Sequence, residues 1–490
     1  MAGIGFRLRS FTQEGTIGGF LKGYYNAALV ASGPWILTVV TLIAIQFLMR
    51  QTAARTDLFL ETIIYIYAFS LITTAPFQLV ITRYLADQLD AQKLGAHIPS
   101  LVSITLVSTA FHAVVGLLFF STVEVPWLYR FTAAALFAMV ALVWLLMAFV
   151  GAVRAFHLVA TAFVSGTIVS ILSAYGLGLR LGEPGYLMGM LLGNSIIVAI
   201  CLTALAREFE CAASFNFEWL EYFRETPYLP VAGMLYYAAI WSSIMIYWFT
   251  IGDPVQPHVL FAYEAIDLAS FYAQMTIIPA VTMFYVHNET SFYEDYRGFY
   301  NAVLAKKSLD VIRDRRETLV KNLKEAFFNL GLVQAVVTFG AIAFAPQIAT
   351  GLQMSEHEQQ LFVNMALGAA PQVMLLFVMV IMFYFQFYKE AMFTSLIALV
   401  GCLGFGALTL WPTHRPDLYG FGLLGGTGIA LVVGLFWLFD RLSLLDYITF
   451  SSQPLAEEVP FRQDMLTSRG GFGKTIVQDG KLLVKTEKSL

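Results

Sequence analysis

Twelve apolar stretches run through this chain, each close to the roughly 20 residues that a helix needs to cross about 30 Å of hydrocarbon. Segments of that length and character predict transmembrane helices, because in lipid each backbone N–H and C=O must find its partner inside the chain. The first six lie at approximately 27–49, 60–82, 101–121, 131–152, 158–178 and 186–206. A second six follow at approximately 231–251, 259–286, 327–350, 361–386, 391–411 and 420–439. With 58% hydrophobic residues, 13% charged and a mean hydropathy of +0.70, the chain is too apolar to bury itself in one soluble core. Arg7 and Arg9 precede the first run, but the run is too long for a signal-peptide core and no small-residue cleavage site follows, so it is expected to remain as a span.

Charge sets the orientation. With both termini on one side, 24 of the 29 lysines and arginines fall on that side and 5 on the other, which the positive-inside rule assigns to the cytoplasm. The net charge of -4 carries no argument for nucleic acid. Cys201 and Cys402 lie inside spans and Cys211 just after one, which speaks against a disulfide framework or a cysteine metal site. No two of the seven histidines lie within four residues, which removes a HExxH zinc site. No stretch outside the spans exceeds about 50 residues, too few for a catalytic domain, and no DxD occurs, so the chain is read as a non-enzyme without a cofactor.

The two sets of six resemble one another. Span six opens with Tyr186-x-x-Gly189-x-Leu191-Leu192-Gly193 and span twelve with Tyr419-x-x-Gly422-Leu423-Leu424-Gly425, each shortly after a proline (Pro184, Pro416). Spans two and eight each hold an internal proline, Pro76 and Pro279, with Arg83 or His287 seven or eight residues on. Short turns near Arg154 and near Lys389-Glu390 join equivalent spans. Inward duplication with a cavity between helical halves is a transporter plan; glycines that merely let helices pack closely are the plainer explanation of the Tyr-Gly pair. The fold expected is an all-α polytopic membrane protein with twelve transmembrane helices in two pseudo-symmetric six-helix bundles around a central cavity. A GxGxxG match at Gly420–Gly425 follows no strand and has no acidic residue about 20 positions on, so it reads as helix packing.

Polar groups that persist in spans face water or a partner, because charge in hydrocarbon costs about 3 kcal/mol or more. Glu264 and Asp267 are three residues apart, hence on one helical face, and Gln274 continues the stripe, with Tyr263, Ser270 and Tyr272 beside it. Span seven adds Tyr236, Tyr237, Trp241, Ser242, Ser243, Tyr247 and Trp248. Aromatic faces beside carboxylates and amides suit sugar rings, which offer a C–H face and hydroxyls. The candidate substrate path is therefore Tyr237, Trp241, Tyr263, Glu264, Asp267, Tyr272 and Gln274, with Asn26 and Arg83. Plainer readings compete: Glu264 and Asp267 as a solvated rim, the span-seven aromatics as interfacial belt, and Arg83 as a snorkelling side chain. His112 reads as a helix contact, and Asn26, Asn194, Asn329, Gln334, Asn364 and Gln372 as interhelical glue.

The domain plan is a cytoplasmic amphipathic segment at 1–26, a first bundle at 27–206, a cytoplasmic linker at 207–230, a second bundle at 231–439 carrying a cytoplasmic surface helix at about 287–326, and a polar tail at 440–490 containing Gly470, Gly471 and Gly473. The opening Met1-Ala2-Gly3-Ile4-Gly5-Phe6-x-Leu8-Arg9, the element Ser32-Gly33-Pro34-Trp35 and the stretch Glu289 to Tyr296 resemble the PelG family, inner-membrane transporters of the Pel exopolysaccharide system within the multidrug/oligosaccharidyl-lipid/polysaccharide flippase superfamily. That resemblance implies a central cavity lined largely by helices one, two, seven and eight, and a nascent polymer rich in N-acetylgalactosamine as cargo across the bacterial inner membrane. It also implies a PelF-like UDP-sugar-dependent cytosolic glycosyltransferase and PelD-like and PelE-like membrane proteins as partners, PelD sensing cyclic di-GMP. A lipid-linked oligosaccharide flippase or ion-coupled drug antiporter on the same scaffold is the alternative, and a membrane scaffold for other enzymes a third.

Overall fold

The computed structural model describes residues 17–52, 54–90, 97–153, 156–208, 215–256, 259–287, 291–411, 414–451, 475–478 and 481–484, with side chains for most of 33–451. The first bundle holds α1 (Ile17–Gln51), α2 (Thr56–Asp90), α3 (His97–Ser121), α4 (Trp127–Val153), α5 (Phe156–Leu181) and α6 (Glu183–Glu208). The second runs α7 (Tyr228–Ile251), the strands β1 (Asp253–Gln256) and β2 (Leu260–Ala262), α8 (Glu264–Met275), α9 (Ile278–His287), α10 (Tyr293–Leu304), α11 (Leu309–Ala343), α12 (Ala345–Leu352), α13 (Glu356–Tyr384), α14 (Tyr388–Leu410) and α15 (Phe421–Ser443). With α8 and α9 as one crossing, twelve helices are long and apolar enough to span a membrane. Large apolar side chains such as Phe47, Leu118, Leu172, Phe339, Val432 and Phe436 point out of the bundles, the surface that lipid would cover.

Helix packing repeats between the halves. Helix α5 packs on α1 and α6, α4 on α2, α3 and α6; correspondingly α14 packs on α7 and α15, and α13 on α8, α11 and α15. The duplicated Tyr-Gly element explains part of this symmetry. A Cβ on Gly189 would come 2.6 Å from the Ala174 backbone in α5, and one on Gly422 would come 2.8 Å from the Cys402 carbonyl in α14. The same glycines thus bring the same helix pair together in each half, as the close-packing explanation requires. Gly189→Leu is expected to cost about 1–3 kcal/mol by overpacking, read as a lower melting temperature in detergent.

Three features differ from the sequence reading. Span eight begins with an antiparallel hairpin rather than helix, Asp253 pairing with Ala262 and Pro254 with Phe261. The span is then broken at Thr276 and Ile277: Pro279 has no N–H to offer the preceding turn, so a new helix starts beside it. The expected single surface helix at about 287–326 is two pieces, α10 and the start of α11, and α11 continues without interruption into span nine. Helix α13 starts at a capping box, Ser355 Oγ accepting from Glu358 N at 3.2 Å and Glu358 Oε2 from Ser355 N at 2.6 Å.

The segment between the halves is fixed to the first bundle. Trp219 is fully buried and its Nε1 donates to Ser103 Oγ at 2.9 Å, while Asn216 Nδ2 donates to Tyr84 Oη at 3.0 Å. A helical turn at Tyr222–Glu225 follows, then Thr226, Pro227 and α7. A separate unit, Leu444–Leu490, contains α16 (Leu445–Ser451) and an antiparallel pair, β3 (Thr475–Gln478) with β4 (Lys481–Val484). The three tail glycines lie outside the described residues.

Candidate functional site

Two seams join the bundles, α2 against α7 and α1 against α9. At the hairpin end of the first seam, Trp248 closes the last turn of α7 and is fully buried. Its indole stacks on Tyr65 of α2, centroids 5.0 Å apart and planes 14° off parallel, and its Nε1 donates to Asp267 Oδ1 at 2.8 Å. Trp241, about two turns earlier on α7, tilts against the same indole at 6.3 Å. Tyr65 Oη donates to the Phe261 carbonyl at 3.0 Å and accepts from Phe261 N at 3.2 Å, which ties the hairpin of the second bundle to the first. Arg55 adds a bond from its guanidinium to the Val255 carbonyl at 3.1 Å.

Two carboxylates belong to this cluster. Asp267 is half-buried, and its Oδ2 has no hydrogen-bond partner. Glu61 of α2, from the opposite bundle, is 6% exposed with its Oε2 also unpartnered, and the charges that act on it are Asp267, Glu264 and Asp57. Sequence reasoning missed Glu61. The signal was present, an acid among Leu60, Thr62 and Ile63 at the start of a span, but its proximity to Asp267 is a contact between distant parts of the chain.

The other expected path residues divide. Glu264 is exposed at the rim, whereas Asp267 turns inward. Tyr263 is engaged within the second bundle, its hydroxyl 2.7 Å from His357 Nε2 and its ring edge-on to Tyr419. Gln274 is already satisfied: it and Gln372 exchange amide bonds at 2.8 and 3.2 Å, bridging α8 and α13. Gln274→Leu should leave the Gln372 amide orphaned at a cost of about 1–3 kcal/mol, measurable as lost thermal stability, with Gln274→Leu/Gln372→Leu recovering part of it. Tyr272 abuts Phe271, and Phe271 tilts against Trp35 of α1 at 5.6 Å, so the tryptophan of the Ser-Gly-Pro-Trp element is a contact between the bundles. Tyr237 and, on α2, Tyr67 are half-buried. The Asn26 side chain lies outside the described residues.

Arg83 sits at the opposite end of α2. It pairs with Asp87 at 2.9 Å, and the Gln386 amide, turned so that its oxygen faces the guanidinium, accepts from both terminal nitrogens at 3.1 and 3.0 Å. Gln386 belongs to the α13–α14 turn, so Arg83 clasps the bundles together instead of snorkelling. Tyr222 donates to Asp87 at 3.1 Å; burial, then the Asp87 charge, pushes its hydroxyl up to about 12, which keeps it a donor at neutral pH. Of the remaining polar residues, His112 bonds Ser108 O at 2.7 Å and Thr74 at 3.2 Å, a helix contact, and Asn364 donates to the Asp417 and Tyr419 carbonyls. Gln334 bonds Thr338 of its own helix rather than a neighbour.

Solved structures share this architecture. A MATE in complex with MaL6 matches with a TM-score of 0.60 at 14% identity, over 86% of this chain and 96% of that one. An outward-facing multidrug resistance MATE of the MOP superfamily gives 0.59 at 14% identity over the same shares. A MOP superfamily transporter from Pyrococcus furiosus gives 0.58 at 14% identity, again over 86% and 96%. The fold is therefore that of the twelve-helix MATE/MOP transporters, two pseudo-symmetric six-helix bundles facing each other. A comparison with curated proteins gives no match. The family described as "PelG: Putative exopolysaccharide Exporter (EPS-E)" matches residues 1–450, and the chain belongs to that family.

Proposed function

We propose that this exporter carries a nascent, N-acetylgalactosamine-rich Pel polymer across the bacterial inner membrane, receiving it from a PelF-like cytosolic glycosyltransferase held nearby by PelD-like and PelE-like membrane proteins. In this reading both termini, the linker at 207–230, the helical segment at 287–326 and the tail from 440 are cytoplasmic, consistent with their lysines and arginines. The path runs between the bundles, past Tyr67 and Tyr237 and out along Trp241, Trp248 and Tyr65. The observation that carries the reading is the meeting of buried aromatic rings and unpartnered carboxylate oxygens where the two bundles touch, groups that offer stacking faces and acceptors to a sugar once the bundles part there.

The test has two arms. Purified in mild detergent from its native host, the protein should bring a glycosyltransferase with it, and Trp241→Ala should reduce secreted polymer at unchanged membrane abundance. Normal secretion from Trp241→Ala would remove the assigned path, and purification without any glycosyltransferase would remove the coupling.

A further inference from the structure

We propose that Glu61 and Asp267 make the hairpin end of the path selective by charge, admitting neutral and amine-bearing sugars and turning away chains of uronic acid. The inference deepens the transport reading and rests on it. Glu61 stands on α2 and Asp267 on α8, one from each bundle, so a chain that parts the bundles at this level meets both. Each has a buried oxygen without a hydrogen-bond partner, Glu61 Oε2 and Asp267 Oδ2. Such oxygens normally find donors, because burying an unpaired acceptor costs free energy. A sugar hydroxyl, amide N–H or ammonium supplies a donor, and a carboxylate supplies none.

The surroundings have one sign. Among the described residues, the charges acting on Glu61 are Asp267, Glu264 and Asp57, and Glu264 is the charge acting on Asp267. Arg55 is the nearby cation, and its guanidinium is committed to Asp57 at 2.9 Å and to the Val255 carbonyl. The stacked rings of Tyr65 and Trp248 belong to the same cluster, Asp267 accepting from the indole and both acids acting on Tyr65. Both rings are buried while the bundles touch; a sugar that parts them meets aromatic faces indifferent to its charge, so discrimination falls to the acids. Once the bundles part and water reaches and ionises both acids, like charges several ångströms apart at an effective dielectric near 20 disfavour a uronate by roughly ten- to thirtyfold relative to a neutral residue of the same shape.

Equilibrium dialysis of the full chain in detergent against three tetramers checks this: N-acetylglucosamine, its de-N-acetylated form and galacturonic acid. The expected order is amine above neutral above uronate, with the last two at least about tenfold apart at low salt. Glu61→Gln combined with Asp267→Asn should bring all three within about threefold of one another, with unchanged elution on gel filtration in detergent reporting an intact fold; asparagine keeps an oxygen for the Trp248 indole. Equal binding of the three by the unaltered protein, or a spread that survives the double substitution, overturns the charge selectivity and leaves the path standing. Failure of all three to bind removes the path and the selectivity together.

Discussion

Trp248→Phe is expected to cut polymer export at least about tenfold while the protein remains in the membrane. Phenylalanine retains a ring to lie on Tyr65 but has no N–H, so Asp267, which holds the indole at 2.8 Å, loses a charge-assisted donor in a place where its second oxygen already has none. A buried acid deprived of its donor costs about 1–3 kcal/mol, and it regains partners only by moving. The movement available is rotation of the first turn of α8, which carries Glu264 and follows directly on the hairpin that Tyr65 holds. Trp248→Ala is the harsher comparison, since removal of a fully buried tryptophan costs about 3–5 kcal/mol and should lower abundance as well as export. Quantifying secreted polymer against immunoblotted membrane protein separates the two, and normal export from Trp248→Phe would detach Asp267 from the transport path.

The second large effect is expected from fastening the bundles at the other end. Arg83→Cys with Gln386→Cys, bridged by a short bismaleimide in a background with Cys211→Ser, should lower export to background, whereas each single cysteine should retain most of it. The α2–α7 seam is flanked by polar contacts at both ends, Arg83 on Gln386 at one and Tyr65 and Arg55 on the hairpin at the other. These are a few polar contacts, each worth about 1 kcal/mol or somewhat more where charge is involved, so the bundles can exchange them, and a long polymer needs one end or the other released. Gln386 has φ of +61°, a conformation that costs a non-glycine residue energy and recurs where two arrangements compete. Export that continues at full rate after complete cross-linking would favour a standing conduit over relative motion of the bundles.

Much of the architecture could be read from local pattern. Apolar runs of span length, a lopsided distribution of lysine and arginine, and paired Tyr-Gly elements are each properties of short windows, and each window reports its own helix. The hairpin at Asp253–Ala262 was illegible because Val259, Leu260 and Phe261 extend the apolar pattern of span eight without a break. Partnerships were illegible for a different reason. Gln274 presents the same polar stripe whether it touches cargo or Gln372, and only packing brings an amide 98 residues away into its reach. Glu61 was passed over because a position near the end of a span looks like solvated rim until a helix from the other bundle covers it.

The anchored linker has a mechanical corollary. With Asn216, Trp219 and Tyr222 all bonded to the first bundle, and Thr226 bonded back to the Tyr222 carbonyl, the join between the lobes narrows to Pro227 ahead of the first turn of α7. Proline narrows that pivot further by fixing its own torsion. A lever so short would make any swing of the second lobe turn about its own entry point, and a partner bound over the buried Trp219 would gain purchase on that stroke.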